Sequence, residues 1–164
     1  MNRFQFEFMD KARKGDYLPR LFDILYDNMN PIIPGGAYDT ERALFLAEVG
    51  PALEKGPRKI ILMYAGDELA GYFQYYVNGG FFMVEEIQII PAYQSTTLLY
   101  ALFRFLGRVL PEDVGTIGAY VHKENFRSRR IIRKLGMVTE REEGDYCFCR
   151  GRFQSIGEKF YKKT

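Results

Sequence analysis

The spacing of apolar residues predicts that the chain begins with a strand followed by a helix. Phenylalanines alternate with polar residues over Phe4–Phe8, which is typical of a strand with one buried face. Apolar residues then recur at helical spacing from Leu18 to Met29, and Pro19 is tolerated in the first turn. Asp16 is the predicted N-cap of this helix.

A second helix is predicted from Thr40 to about Gly50, because Gly50 and Pro51 should end it. The intervening segment Asn30–Asp39 contains two prolines and two glycines, which favour a loop. This loop is long enough to border a substrate site.

The rest of the chain is predicted to contain three strands, a helix, a strand, a helix and a closing hairpin. These elements are Lys59–Tyr64, Leu69–Val77, Phe81–Ile90, Ser95–Leu110, Thr116–Val121, Phe126–Leu135, and Met137–Glu142 with Asp145–Arg152. A hairpin meander followed by strand-helix-strand crossovers predicts an α/β (α+β) fold with a mixed sheet.

Composition indicates one globular domain. The 164 residues are 47% hydrophobic and 27% charged, which is typical of a folded protein rather than a disordered one. We expect a single domain over residues 1–153 and a basic C-terminal tail over residues 154–164, whose structure the pattern leaves open.

Charge and hydropathy argue against a nucleic-acid-binding protein and a membrane protein. The 23 Lys and Arg residues against 21 Asp and Glu give a net charge of +2, which is too small to indicate nucleic acid as a partner. No apolar stretch approaches the roughly 20 residues of a membrane span, and the first residues do not form a signal-peptide pattern. We therefore expect a cytoplasmic protein without a membrane partner.

The two cysteines and the single histidine are weak candidates for catalytic or metal-binding groups. Cys147 and Cys149 lie two residues apart on a predicted strand, so they point to one face and a disulfide between them would be strained. We therefore expect both thiols to be free and to pack in the interior of the protein. Free thiols are typical of a reducing compartment. Because His122 has few soft ligands near it in the sequence, we expect no metal.

The segment Glu85–Gln94, Glu-Glu-Ile-Gln-Ile-Ile-Pro-Ala-Tyr-Gln, resembles the strand of GNAT N-acetyltransferases that ends in Val-x-Pro-x-x-Arg or Gln. The resemblance implies a mixed, mostly antiparallel sheet of six to seven strands flanked by about four helices. It also implies that this strand splays from its neighbour and that backbone groups of Ile89 and Ile90 bind the pantetheine arm of acyl-CoA.

The next six residues take the place of the family pattern Arg or Gln-x-x-Gly-x-Gly without a gap. They are Gln94, Ser95, Thr96, Thr97, Leu98 and Leu99. By resemblance, their backbone N–H groups and the following helix N-terminus cradle the pyrophosphate. Thr97 and Leu99 add side-chain bulk where the family has glycine. The hydroxyls of Ser95, Thr96 and Thr97 add hydrogen-bond donors. The alternative interpretation is that the segment only caps a core helix.

The segment Asn125–Met137 is similar to the family pattern Asn-x-x-Ala-x-x-x-Tyr-x-Lys-x-Gly-Phe. Asn125 can cap the helix, and the resemblance places it and Ser128 among the cofactor contacts. Gly136 is predicted to let the chain leave the helix in a left-handed conformation. Ile132 stands where many relatives have a tyrosine that protonates the departing thiolate, so another acid is needed.

Candidates for proton transfer lie on the neighbouring strands. Glu85 and Glu86 are candidate bases, and because adjacent strand residues face opposite sides, at most one should face the acceptor amine. Tyr120 is the candidate acid, with Tyr146 as an alternative. The alternative interpretation is that both glutamates are ordinary polar groups in a solvated cleft wall or in ion pairs with Arg or Lys.

A basic cluster occupies the last predicted helix, and Arg129 and Arg133 share a face by their i,i+4 spacing. Its members are Arg127, Arg129, Arg130, Arg133 and Lys134. Three interpretations stay open for it: contact with the phosphates of CoA through Arg129 and Arg133, contact with nucleic acid, or a solvated helix face.

The resemblance implies an N-acyltransferase that moves an acetyl or other short acyl group from acyl-CoA, as co-substrate, to an amine acceptor by direct attack. The alternative is a non-catalytic GNAT-like binding module that has lost the standard CoA loop. The acceptor is a small molecule or a protein, and a homodimer is a candidate assembly.

Overall fold

A computed structural model describes residues 3–161. The elements, in chain order, are β1 (Phe4–Phe8), α1 (Lys14–Met29), α2 (Tyr38–Lys55), β2 (Lys59–Ala65), β3 (Glu68–Asn78), β4 (Phe81–Ile89), α3 (Thr96–Val109), β5 (Thr116–His122), α4 (Phe126–Lys134), β6 (Val138–Glu143), β7 (Tyr146–Arg152) and α5 (Phe153–Tyr161). The sheet order is β1-β2-β3-β4-β5-β7-β6. This confirms the mixed, mostly antiparallel sheet. No helix within residues 3–161 is long and apolar enough to cross a membrane.

The described residues group into two compact units. Unit 1 comprises residues 3–74 and 86–94, and unit 2 comprises residues 75–85 and 95–161. The core of unit 1 forms where apolar residues of α1 and α2 pack against β2 and β3. Its buried members are Met9, Leu18, Leu21, Ile24, Leu53, Ile60, Leu62 and Tyr72. The predicted apolar stripe of α1 therefore faces the core.

The predicted N-cap of the first helix is wrong, because α1 begins two residues earlier. A short 3-10 turn precedes it, and the Asp10 carboxylate accepts a hydrogen bond from the Ala12 N–H at 2.9 Å. Asp16 instead lies in the first turn of α1, where its carboxylate is 3.1 Å from the Arg13 guanidinium. An acidic residue there also interacts favourably with the helix dipole.

The predicted end of the second helix at Gly50 and Pro51 is also wrong, because α2 continues to Lys55. Proline removes one backbone donor but not the helical φ, and here burial favours continuation: Gly50 is buried and Leu53 is fully buried. The helix ends at Gly56, whose N–H donates to the Ala52 carbonyl at 3.2 Å.

Strand β3 approaches β4 unusually closely at Gly71. A Cβ added there would lie 2.2 Å from the Gln88 carbonyl oxygen and 2.9 Å from the Ile89 Cα. The next hydrogen bond along the pair runs from the Ile90 N–H to the Ala70 carbonyl at 2.9 Å. Glycine at position 71 thus allows the carboxyl end of β4 to lie close to the backbone of β3.

Unit 2 contains the parallel pair of the sheet. Strands β4 and β5 pair from Phe81 opposite Thr116 to Val84 opposite Ala119, and β5 pairs antiparallel with β7. Helices α3 and α5 pack against each other, and the Phe153 ring of α5 contacts the buried Phe82 ring at 5.7 Å between centroids. Most of the segment predicted as a tail is therefore helical. Cys147 and Cys149 are buried and free, as predicted.

Strand β6 lies at one edge of the sheet, and all six of its residues are exposed. Its pairing with β7 shifts register between Thr139 and Arg141, so Glu140 forms a bulge. Three of its six residues are glutamates. Charges and bulges are common on sheet edges, where they discourage pairing with other chains.

We predict that Gly71→Ala destabilises the protein by about 1–3 kcal/mol, because the new methyl group overlaps backbone atoms that cannot rotate away. Gly15→Ala is the control, since Gly15 lies in α1 with no atom within 4 Å of an added Cβ. It should be neutral or stabilising by up to about 1 kcal/mol. Urea denaturation followed by circular dichroism measures both; equal stabilities of the two variants would contradict the prediction.

Candidate functional site

The carboxyl end of β4 and the residues after it, in unit 1, have several backbone groups that already form hydrogen bonds. The Ile89 carbonyl accepts hydrogen bonds from Asn28 Nδ2 at 2.9 Å and from Gln94 Nε2 at 2.8 Å. The Ile90 carbonyl accepts from the Tyr93 N–H at 2.9 Å. A carbonyl oxygen has two lone pairs, so two side-chain amides fill the acceptor capacity of Ile89.

A chain of side-chain hydrogen bonds connects α1 to the candidate base Glu86. Asn28 Nδ2 donates to Gln88 Oε1 at 3.1 Å, and Gln88 Nε2 donates to Glu86 Oε2 at 2.8 Å. Gln88 is buried, with 6% of its surface exposed, while Asn28 and Glu86 are half-buried. Because Asn28 presents a donor, the amide of Gln88 is held with its NH₂ group toward Glu86.

Tyr72, on β3, adds a buried hydroxyl to the same unit. The side chain is fully buried, and its hydroxyl has no hydrogen-bond partner among the described residues. Burial raises the pKa of the hydroxyl well above its ordinary value, and the nearby Glu86 carboxylate raises this pKa further. Tyr72 is therefore a neutral phenol.

The other candidate base, Glu85, belongs to unit 2. It is half-buried and follows Val84, the last residue of β4 in the ladder with β5. Strand β4 continues to Ile89 and β5 continues to His122, so both strands extend past the end of their pairing. Glu85 thus lies where the parallel pairing stops.

The start of α3, in unit 2, is a capped helix N-terminus. Ser95 is the N-cap, and its hydroxyl accepts a hydrogen bond from the Leu98 N–H at 3.3 Å. Thr96 and Thr97 lie exposed in the first turn, Leu98 is fully buried and Leu99 is half-buried. The serine performs the capping, and the threonines leave the positive end of the helix facing solvent.

Helix α4 begins with the predicted cap. The buried Asn125 side chain accepts from the Ser128 N–H at 3.1 Å, and Gly136 follows the helix with φ of 84°. Arg129 Nη1 donates to the Lys123 carbonyl at 3.1 Å, whereas Arg133 is exposed in the last turn. The guanidinium of Arg129 is therefore partly used to hold the loop before α4.

The candidate acid Tyr120 is 41% exposed on β5. Its hydroxyl accepts a hydrogen bond from Arg141 Nη2 at 2.9 Å, and its ring lies 4.9 Å from the Phe148 ring. A phenol that accepts a hydrogen bond retains its own proton for donation. The alternative, Tyr146, packs edge-on against His122 at 5.1 Å.

The sequence-predicted residues thus fall into two groups. Unit 1 brings together Glu86, Ile89, Ile90 and Gln94, and the remaining candidates lie in unit 2. Sequence reasoning missed three residues of unit 1, namely Asn28, Tyr72 and Gln88. Helical spacing from Leu21 and Ile24 places Asn28 on the buried stripe of α1, and that polar residue in an apolar stripe is the signal that could have found it.

Comparisons with known proteins identify the fold. No protein-family model and no curated protein matches the sequence. Among solved structures, PaiA N-acetyltransferase from Thermoplasma acidophilum in complex with coenzyme A is similar, with a TM-score of 0.67 and 12% identity over 91% of this chain and 98% of that chain. A probable GNAT-family acetyltransferase from Chromobacterium violaceum gives a TM-score of 0.70 and 14% identity over 96% and 91%.

A third similar structure is a mutant form of the spermidine/spermine N-acetyltransferase from Vibrio cholerae. Its TM-score is 0.63 at 14% identity, covering 97% of this chain and 99% of that chain. The chain therefore has the fold of GNAT N-acetyltransferases, as the sequence resemblance predicted. At identities of 12–14%, this structural similarity establishes the fold of the chain.

We predict that Ser95→Ala lowers the free energy of unfolding by about 1 kcal/mol, because the Leu98 N–H loses its acceptor at the α3 N-terminus. Ser95→Asn and Ser95→Asp keep an acceptor at the same position and should retain most of the stability. Urea denaturation of the three variants measures this, and a wild-type midpoint for Ser95→Ala would contradict the capping role.

Proposed function

We propose that the protein is an N-acyltransferase that moves an acetyl or other short acyl group from acyl-CoA to an amine. The observation that carries the proposal is the exposed, serine-capped N-terminus of α3, the next α-helix after β4 in the chain. A helix N-terminus offers backbone donors and a positive dipole end to phosphate groups. The GNAT fold and a structural neighbour in complex with coenzyme A support this choice of co-substrate.

The phosphate side of the site is proposed to comprise the first turn of α3 and the start of α4. Backbone N–H groups of residues 95–99 are the proposed pyrophosphate contacts. Those of Leu98 and Leu99 already donate to the Ser95 hydroxyl and carbonyl, so the donors of residues 95–97 are the more available, beside the exposed hydroxyls of Thr96 and Thr97. Asn125, Ser128, Arg129 and Arg133 are the proposed contacts from α4. Arg133 is the more available guanidinium of the two, since Arg129 already donates to the Lys123 carbonyl.

The proposed reaction is direct attack of the neutral amine on the thioester carbon. The new C–N bond forms as the C–S bond breaks, a carboxylate takes the amine proton, and an acid protonates the departing thiolate. Glu86 is the favoured base of the two adjacent glutamates, because Gln88 fixes one of its oxygens. Tyr120 is the proposed acid, because Arg141 orients its hydroxyl without consuming the proton.

A specific observation favours the alternative of a non-catalytic binding module. The backbone of Ile89 is the proposed pantetheine contact, yet its carbonyl already accepts from Asn28 and Gln94. Acyl-CoA that used this acceptor would have to displace one of the two amides. A module that does not bind CoA would keep both hydrogen bonds.

We predict that coenzyme A and acetyl-CoA raise the melting temperature of the wild-type protein, because a ligand that binds only the folded state stabilises it. The gain is about 2.7 kcal/mol at a ligand concentration 100 times Kd. Ser95→Asp should keep the stability of the ligand-free protein but lose most of this gain, since its carboxylate would lie beside the phosphates.

Ser95→Asn is the matched control, because it caps the helix without adding charge and should retain the ligand-induced shift. Differential scanning fluorimetry measures all three proteins. If millimolar acetyl-CoA does not stabilise the wild-type protein, acyl transfer is excluded and the non-catalytic binding module is favoured. Equal ligand-induced shifts in Ser95→Asp and Ser95→Asn would show that the phosphates do not bind at the N-terminus of α3.

We predict that Glu86→Gln lowers kcat with acetyl-CoA and an accepted amine by about 10²–10⁴, the usual contribution of a general base. Glu85→Gln, at the adjacent position, should have the smaller effect. Steady-state release of CoA thiol, assayed over a panel of amines, measures both variants. Unchanged turnover in both would exclude these carboxylates from the mechanism, and a larger loss in Glu85→Gln would reverse their roles.

A further inference from the structure

Helix α4 carries a dense local positive charge. It contains five of the 23 Lys and Arg residues of the chain and none of the 21 Asp and Glu residues. The net charge of +2 does not reveal this surplus, because the acidic residues lie elsewhere in the chain. The electrostatic potential at a surface depends on the charges near it, so this helix can attract a polyanion although the whole chain is almost neutral.

The exposed residues of α4 form one stripe along the helix. They follow the spacing i, i+1, i+4, i+7 and i+8, which is the spacing of a single helix face. The members of this stripe are Phe126, Arg127, Arg130, Arg133 and Lys134. The opposite side of the helix is anchored, since Ile131 and Ile132 are half-buried and Leu135 is buried. The packing of unit 2 therefore holds the basic stripe toward solvent.

An aromatic ring lies within this basic stripe. Phe126, in the first turn of α4, is 61% exposed. Arg130 is one turn further along the same face, which places the two Cβ atoms about 6 Å apart. A solvent-exposed aromatic ring beside cationic side chains is the combination with which proteins bind an unpaired base and its phosphates. The stripe thus offers a stacking surface as well as charge.

The basic cluster extends around more of α4 than the proposed acyl-CoA contacts occupy. With about 3.6 residues per turn, Arg129 and Arg133 lie on one side of Phe126, and the other three cations lie on the opposite side. Arg129 and Arg133 are the proposed contacts to the CoA phosphates. The remaining cations, together with Phe126, form a surface that acyl transfer does not use, and we call it the Arg130 side of α4. Its members are Phe126, Arg127, Arg130 and Lys134.

We propose that the Arg130 side of α4 binds single-stranded RNA, with one base stacked on Phe126 and the neighbouring phosphates bound by the three cations. A single strand is favoured, because a base inside a duplex cannot present its face to a side chain. RNA is favoured over an acidic protein, because it supplies a planar ring with every negative charge. Four of the five cations of α4 are arginines, whose planar guanidinium can donate to two phosphate oxygens at once.

Fluorescence anisotropy of a fluorescein-labelled oligouridine of about 12 nucleotides, titrated with the full chain at several NaCl concentrations, tests the charge contribution. For three phosphate contacts on a single strand, log K should fall with log[NaCl] with a slope of about −2, and Arg130→Gln should reduce this slope by about 0.7. Arg20→Gln is the matched control, because it removes the same charge from the exposed surface of α1 and should bind as the wild-type protein does. Equal losses in the two variants would show general charge attraction and would overturn the proposal.

Phe126→Ala tests the stacking contribution. We expect its affinity for oligouridine to fall about tenfold, which corresponds to 1.4 kcal/mol, with an unchanged salt slope. Phe126→Tyr keeps the aromatic ring and should retain the wild-type affinity. Since Phe126 is exposed, neither change removes a core contact. Wild-type affinity in Phe126→Ala, or equal affinity of the wild-type protein for an RNA duplex of the same length, would contradict a stacked, unpaired base.

Competition separates this proposal from the proposed acyl transfer. Unlabelled oligouridine should displace the labelled RNA, whereas polyglutamate of equal charge should displace it poorly, and equal competition by polyglutamate would indicate an acidic protein instead. Saturating CoA should leave the RNA bound, and Arg130→Gln should keep the CoA-induced rise in melting temperature. If CoA displaces the RNA, or if no RNA binds at about 0.1 mM protein, RNA binding is rejected and acyl transfer stands. If RNA binds and CoA does not, acyl transfer is rejected and RNA binding stands.

Discussion

The close approach of β3 and β4 at Gly71 is the constraint on which the polar side of unit 1 depends. Because no side chain separates the strands there, the end of β4 lies against the backbone of β3. The Ile89 carbonyl then comes within reach of Asn28 on α1, whose amide also donates to Gln88. A larger residue at position 71 would push the strands apart and separate these groups.

Helix α1 contributes both apolar packing and polar contacts to this arrangement. Leu21 and Ile24 are buried in the core, and Asn28, one turn after Ile24, reaches both Gln88 and Ile89 with a single amide nitrogen. A helix that is anchored by apolar residues can hold such an amide with little freedom. The core of unit 1 therefore also determines the orientation of the candidate base.

Periodicity in the sequence was enough to predict most elements, because long alternating or helical patterns leave few alternatives. It failed at the two helix ends where tertiary contacts decide: the 3-10 turn before α1, and the passage of α2 through Pro51 to the buried Leu53. For the site, motif resemblance led to the caps at Ser95 and Asn125. The polar chain that reaches Glu86 was not accessible this way, because Asn28 is distant from it in sequence and meets Gln88 only through the packing of α1.

The exposed edge strand β6 has a consequence for how copies of this chain meet. If two β6 strands paired antiparallel, the glutamates of one copy would face those of the other at the same edge, since half of the strand is acidic. Each of these glutamates is already paired within its own copy, Glu140 with Arg150, Glu142 with Lys123 and Glu143 with Arg141. The barrier to such pairing is therefore the geometric mismatch at the Glu140 bulge, together with ion pairs that a second strand would have to rearrange. Acid, which protonates the carboxylates, or high salt, which screens the ion pairs, would free these side chains and leave the bulge as the remaining obstacle to edge-to-edge assembly.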